Sequence, residues 1–154
     1  MTQITDYQAL LSTQKSLQLA TSSPDGNADI SYAPFTLDDN RFYIYVSALA
    51  KHTANMLHSG QAGVLIIQPE AEADNIFARR RLSFNCRVQE ISKGLPDYAR
   101  LLELMQQRFG NIIGLLSSLP DFHLLQLSPQ TGLYVAGFGK AMTVDLSLGL
   151  AAAG

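Results

Sequence analysis

The segment Arg81–Ile91 constrains this chain more than any other. Leu82, Phe84, Cys86 and Val88 fall on one side of it, and Ser83, Asn85, Arg87 and Gln89 on the other. A period of two is that of a β-strand with one buried face, and its backbone needs neighbouring strands for partners. Those neighbours are written along the chain. Residues 16–22 and 28–37 flank Pro24-Asp25-Gly26-Asn27, a hairpin turn in which Pro presets φ and Gly tolerates positive φ. Asp38-Asp39-Asn40 makes a second turn before the aromatic, β-branched run at 41–47. Val64 to Ile67 reads as a buried strand, and residues 122–127 and 132–138 as two more, joined by Ser128-Pro129-Gln130. Helices are predicted over 4–13, behind a Thr2 or Thr5 cap, over 50–58, and over 96–109, which has Pro96 in its first turn and Gly110 past its end. The expectation is a mainly β, α+β fold: six or seven antiparallel strands in a closed or nearly closed barrel with flanking helices.

Charge is scarce. Only 16% of the 154 residues are charged against a usual level of about 25%, while 47% are hydrophobic, which excludes disorder. One domain over 1–154 is expected. The net charge of −2 excludes a global field for nucleic acid but permits a local anion site. No run reaches the length of a membrane span, no leader pattern opens the chain, and the single cysteine, Cys86, suits a reducing compartment; a cytoplasmic protein is expected. From residue 110 onward only Asp121, Lys140 and Asp145 are charged, so this third is either buried or meets another subunit. The tail 146–154 reads as disordered or shortened.

Four arginines stand close together: Arg79, Arg80, Arg81 and Arg87. On a strand Arg79, Arg81 and Arg87 share a face and Arg80 takes the other. Guanidinium forks suit phosphate or carboxylate, although the loop with Glu70, Glu72 and Asp74 offers them simpler partners. Arg87 reads as solvated, and Arg79 to Arg81 as an anion site. A second polar constellation, Ser47, Lys51, His52, Thr53 and Asn55, falls where a strand gives way to a helix. There Ser47 either caps the helix or joins Lys51 and Asn55, which share a helical face, in holding an anion. The histidines, His52, His58 and His123, lack zinc spacing. His123 shares the apolar face of Leu125 and Leu127 and reads as a core residue before a ligand. Gly137-Phe138-Gly139-Lys140 lacks the spacing of a nucleotide loop.

Taken together, SLQLATSSPDGNADISYAPF, SALAKHTANM, NIFARRRLSFNC and LYVAGFGKA resemble the flavin-reductase-like split barrel of the pyridoxamine-phosphate-oxidase superfamily, over about residues 5–145. Within it the chain is most similar to the HugZ-type haem-utilisation branch. The resemblance implies a homodimer with ligand sites at the subunit interface, holding haem or, in flavin-using relatives, FMN. It implies cofactor-binding roles for Ser47, Lys51, His52, Asn55, Arg79 and Arg80. Arg81 would lie on the distal side of the haem, His52 near its edge, and Asp121 would hydrogen-bond the proximal histidine. The implied reaction opens the porphyrin ring with oxygen and an electron donor, releasing iron and a bilin. In that branch the iron-ligating histidine follows the GFGKA strand, where this chain has none; the chain is shortened, the ligand is lost, or His123 substitutes. Two other functions fit the same residues: an FMN-dependent oxidoreductase and a non-catalytic haem carrier.

Overall fold

In a computed structural model, which describes residues 6–150, Arg81–Ile91 is a strand flanked by strands on both sides. The elements are α1 (Asp6–Thr13), β1 (Ser16–Ser22), β2 (Ala28–Pro34), β3 (Thr36–Asp38), β4 (Arg41–Ser47), α2 (Lys51–Ser59), β5 (Gln61–Ile67), β6 (Arg81–Ile91), α3 (Pro96–Phe109), α4 (Ile112–Ser117), β7 (Phe122–Val135) and β8 (Ala141–Thr143), with short 3-10 turns at Glu70–Glu72, Ile76–Ala78 and Leu146–Leu148. The strands form one antiparallel sheet in the order β2-β1-β5-β6-β7-β4-β3, with β8 added on β7. Its two ends, β2 and β3, are adjacent in the chain, so the sheet curls into the expected split barrel.

Inward side chains fill the curl. Leu17, Leu19, Phe42, Ile44, Val64, Ile66, Leu82 and Phe84 join the buried Met56 of α2 in one core. A second, smaller core lies outside the barrel, where α3 and α4 lay Leu101, Met105 and Ile113 over Tyr43, Tyr45, Ile91 and Leu124. Strand β4 is therefore buried on both faces, which explains its continuous aromatic and aliphatic run.

The expected six or seven strands are the seven of this sheet order; residues 28–37 divide into β2 and β3, and Ala141–Thr143 adds a short strand on β7. Two expectations are corrected in detail. The two strands expected at 122–127 and 132–138 are one, β7, with a bulge: Cys86 pairs with Pro129 while Asn85 pairs with Thr131. The extra residue, Gln130, flips the inward phase from Leu125 and Leu127 to Gly132 and Tyr134, so no single alternation spans the strand. The tail is packed as far as Leu150, which is buried and whose N–H donates to Asn40 Oδ1 at 2.8 Å; residues 151–154, like the Thr2 and Thr5 caps, lie outside the described residues.

Candidate functional site

The outward face of the central strands carries a groove. Two ladder rows make its floor: Gln18, Leu65, Ser83 and Leu133 in one, Ala20, Gly63, Asn85 and Thr131 in the other. Gly63 and Ala20 keep it concave, since a Cβ on Gly63 would lie 3.4 Å from that of Ala20. The groove has a volume of about 700 Å³, within the ~300–1,000 Å³ range of small-molecule sites. No ionisable residue lines it. Ile30, 84% exposed, and the exposed Tyr32 stand at its β2 side and Leu133 at the other.

The arginines stand at one end of this face. The next ladder row beyond Ser83 is Ile67, Arg81 and Val135, so Arg81 is about 7 Å further along β6. Arg81 donates one N–H to the Arg79 carbonyl at 3.0 Å. Arg79 is committed to the fold: its Nε and Nη2 both donate to the Gln68 carbonyl, at 2.9 and 2.6 Å, and Glu70 lies 3.9 Å away. Arg80 is tied in through its backbone, which pairs with Gln68, and its guanidinium has no ion pair among the described residues. Arg79 and Arg80 precede the strand rather than lying on it, because β6 begins at Arg81.

Ser47, His52, Asn55 and Asp121 gather elsewhere. Ser47 Oγ donates to Asp121 Oδ2 at 2.7 Å and accepts from the Leu49 N–H at 3.1 Å. Thr53 Oγ1 donates to the Ser47 carbonyl, and the Ala48 N–H to the Asp121 carbonyl. Ser47 thus ties the β4–α2 turn to the start of β7. Ala50, not Ser47, occupies the helix N-cap. One turn on, Asn55 Nδ2 donates to Thr21 Oγ1 at 3.1 Å and to Asp29 Oδ2 at 2.7 Å, and His52 Nδ1 lies 2.7 Å from Ser31 Oγ. Burial lowers the His52 pKa below its ordinary value and so favours a neutral ring. Thr21, Asp29 and Ser31 belong to the inward phase of β1 and β2, whereas the groove uses the outward phase. Lys51 is exposed while Asn55 is buried, so the face they share passes from solvent into the protein. Within one protomer, no hydrogen bond or ion pair among the described residues joins this corner to Arg79, Arg80 or Arg81.

His123 is not a buried core residue. At the start of β7 its Nδ1 pairs with Glu90 of β6, and both side chains are partly exposed beside a cavity of about 260 Å³ walled by Tyr98, Pro120 and Phe122. Among the described residues no group of three or more His, Cys, Asp or Glu is placed to hold a metal ion. His123 lies eight positions before Thr131 of the groove floor, roughly 26 Å along the strand. The sequence reading missed Glu90 and the groove floor. The floor's signal was there: Gln18, Ala20, Gly63, Leu65, Ser83 and Asn85 are outward-facing strand positions without a single charge.

Comparison with known proteins places this architecture. A sequence profile described as Pyridoxamine 5'-phosphate oxidase matches residues 5–136. The heme oxygenase HutZ of Vibrio cholerae is 37% identical over 132 residues, covering 86% of this chain and 75% of HutZ. A crystal structure of HutZ, described there as a heme storage protein, superposes with a TM-score of 0.80 at 36% identity, covering 85% of this chain and 92% of the other. The structure of Campylobacter jejuni ChuZ gives 0.82 at 25% identity, over 90% of this chain and 57% of ChuZ. The chain belongs to the pyridoxamine 5'-phosphate oxidase family and, within it, to the HugZ-type haem-utilisation branch.

Proposed function

We propose that this protein binds haem for iron acquisition, in the outward groove, and contributes to the haem's oxygen- and reductant-dependent degradation. One observation carries the reading: a ligand-sized, uncharged groove ends at the row that holds Arg81, in a chain of the haem-utilisation branch. Haem is a broad apolar plate with two carboxylates; the groove offers Ile30, Leu65 and Leu133 to the plate, and Arg81, one ladder row beyond its floor, stands to meet a carboxylate. When bound, haem supplies the iron at which oxygen is activated for opening of its own ring. The chain's part is to seat the plate, exclude water from its faces and hold its charged edge. A second copy, docked on the exposed Ile30, Tyr32 and Leu133, closes the groove and brings a second set of side chains to the ligand. Ser47, Asp121 and His52 then act through the corner they brace, and an external electron donor supplies the reductant. The single, buried cysteine suits a reducing, cytoplasmic setting.

FMN is the competing cargo, supported by the family profile, and its phosphate would take the same arginines. A haem titration of protein from the full reading frame decides between them. A Soret shift that saturates in the wild type and disappears in Leu133→Lys supports the haem site. No shift, with retention of added FMN, replaces haem by FMN. Bound haem that survives ascorbate and oxygen without forming bilin leaves a carrier in place of an enzyme.

A further inference from the structure

We infer that the groove takes its ligand one way round, with the carboxylates at the end where Arg80, Arg81 and Lys140 stand. The inference rests on the haem reading above and adds an orientation and a further anchoring residue, Lys140. The sheet register brings these cations together. Arg81 pairs with Val135, Val135 with Ala141, and the hairpin between β7 and β8 turns over residues 136–140, closed by the Ala136 N–H on the Lys140 carbonyl. The hairpin tip therefore stands next to the first residue of β6, at one end of the groove. Lys140 is exposed, and neither it nor Arg80 nor Arg81 forms an ion pair among the described residues. Of the acidic residues in the preceding loop, Glu70 turns to Arg79, and Glu72 and Asp74 pair with none of the three.

The opposite end is poorer in charge. Continuing outward along β6 past Asn85, the next residue is Arg87, paired with the neutral Gln61 and Ser128. Three cations face one across an uncharged floor, so a ligand with its carboxylates on one edge is steered to a single orientation. The same end exposes Phe77, 81%, in the turn before Arg79, and Phe138, 66%, on the hairpin tip. Aromatic faces beside cations match an amphiphile whose apolar body meets its acidic edge.

Esterifying the carboxylates removes what this end recognises and leaves the plate intact. Haem and haem dimethyl ester are titrated into the full chain, followed by absorbance. The wild type is expected to prefer the free acid by about tenfold. In Arg80→Ala/Lys140→Ala the preference falls toward unity while ester affinity holds, and in Arg87→Ala it persists. Lys140→Ala alone, on an exposed hairpin, is measured beside the double variant and lowers the preference even if the double variant fails to fold; Lys140→Arg restores it. Equal wild-type affinity for both ligands overturns the orientation and leaves haem binding standing. Loss of preference in Arg87→Ala but not in the double variant overturns it as well. A wild type that binds neither ligand overturns the haem reading and the orientation with it.

Discussion

The outward groove and the Ser47–Asn55 corner contain the same kinds of residue and use them in opposite ways. In the corner the hydroxyls, the amide and the imidazole bond one another: Ser47 to Asp121, Thr53 to the Ser47 carbonyl, Asn55 to Thr21 and Asp29, His52 to Ser31. In the groove floor the one side-chain hydrogen bond among the described residues is Asn85 to Thr131, at 3.3 Å. A polar group whose bonds are spent inside the chain holds a fold, whereas a concave surface with its bonding capacity left open is available to a ligand. Residue type suggested that the corner was the cofactor cradle; hydrogen-bond accounting makes it first the brace that fixes α2 against β1 and β2.

The contrast can be broken most severely from beneath. Phe84 is buried under the groove floor, its ring 5.4 Å from that of Phe42. Phe84→Ala is expected to cost about 3–5 kcal/mol in urea denaturation, with loss of haem binding following from loss of the sheet. Gly132→Ala should cost about 1–3 kcal/mol, because its Cβ would come within 2.7 Å of the Phe84 ring and 3.1 Å of Val144. Asn55→Ala tests the brace directly. It leaves Asp29 and Thr21 without their shared donor, and about 1–3 kcal/mol of stability should go with haem affinity little changed at temperatures where the protein stays folded. A selective loss of haem affinity at unchanged stability would return Asn55 to the ligand site.

Arg81→Ala should do the reverse, weakening haem binding while the melting temperature barely moves. Arg79→Ala, which removes both bonds to the Gln68 carbonyl, should lower the melting temperature instead. The smallest effect is a pH slope. The folded-state pKa of His52 is lowered from 6.5 by burial, so the unfolded chain binds the extra proton first. Its contribution to stability is complete above pH 6.5 and is lost as pH falls from there through the lowered value. Comparing denaturation midpoints between pH 7.5 and 5 in wild type and His52→Gln isolates that slope, which the variant should lack.

Most strands were legible because each alternates against one core. Strand β6 is the clearest case, since a buried face made of Leu82, Phe84 and Cys86 admits no other register. Strand β4 could be named but not placed, because its second buried face depends on α3, which arrives fifty residues later. The candidate cations were visible as types, and their division between two faces was not. That division follows from which strand residues face inward at β1 and β2, and the helix that reads them, α2, gives no sign of it in its own pattern. The Glu90–His123 pair was hidden for the same reason: its partners are neighbours only across the β6–β7 ladder.

The bulge at Gln130 makes the binding face tolerant of a change in chain length. Ahead of it β7 sends its odd-numbered side chains into the barrel, and after it the even-numbered ones. Because Gln130 stands outside the ladder, Pro129 and Thr131 follow one another as ordinary strand neighbours do, with Thr131 and Leu133 on the groove and Gly132 and Tyr134 in the core. Deleting Gln130 would leave both sets where they are and make the strand regular. Drawing Gln130 into the alternation at the same chain length would exchange them, offering a glycine and a tyrosine to the ligand and forcing a leucine against the Phe84 ring. One residue gained or lost at this point is thus absorbed by the backbone, and the surface the ligand meets stays the same.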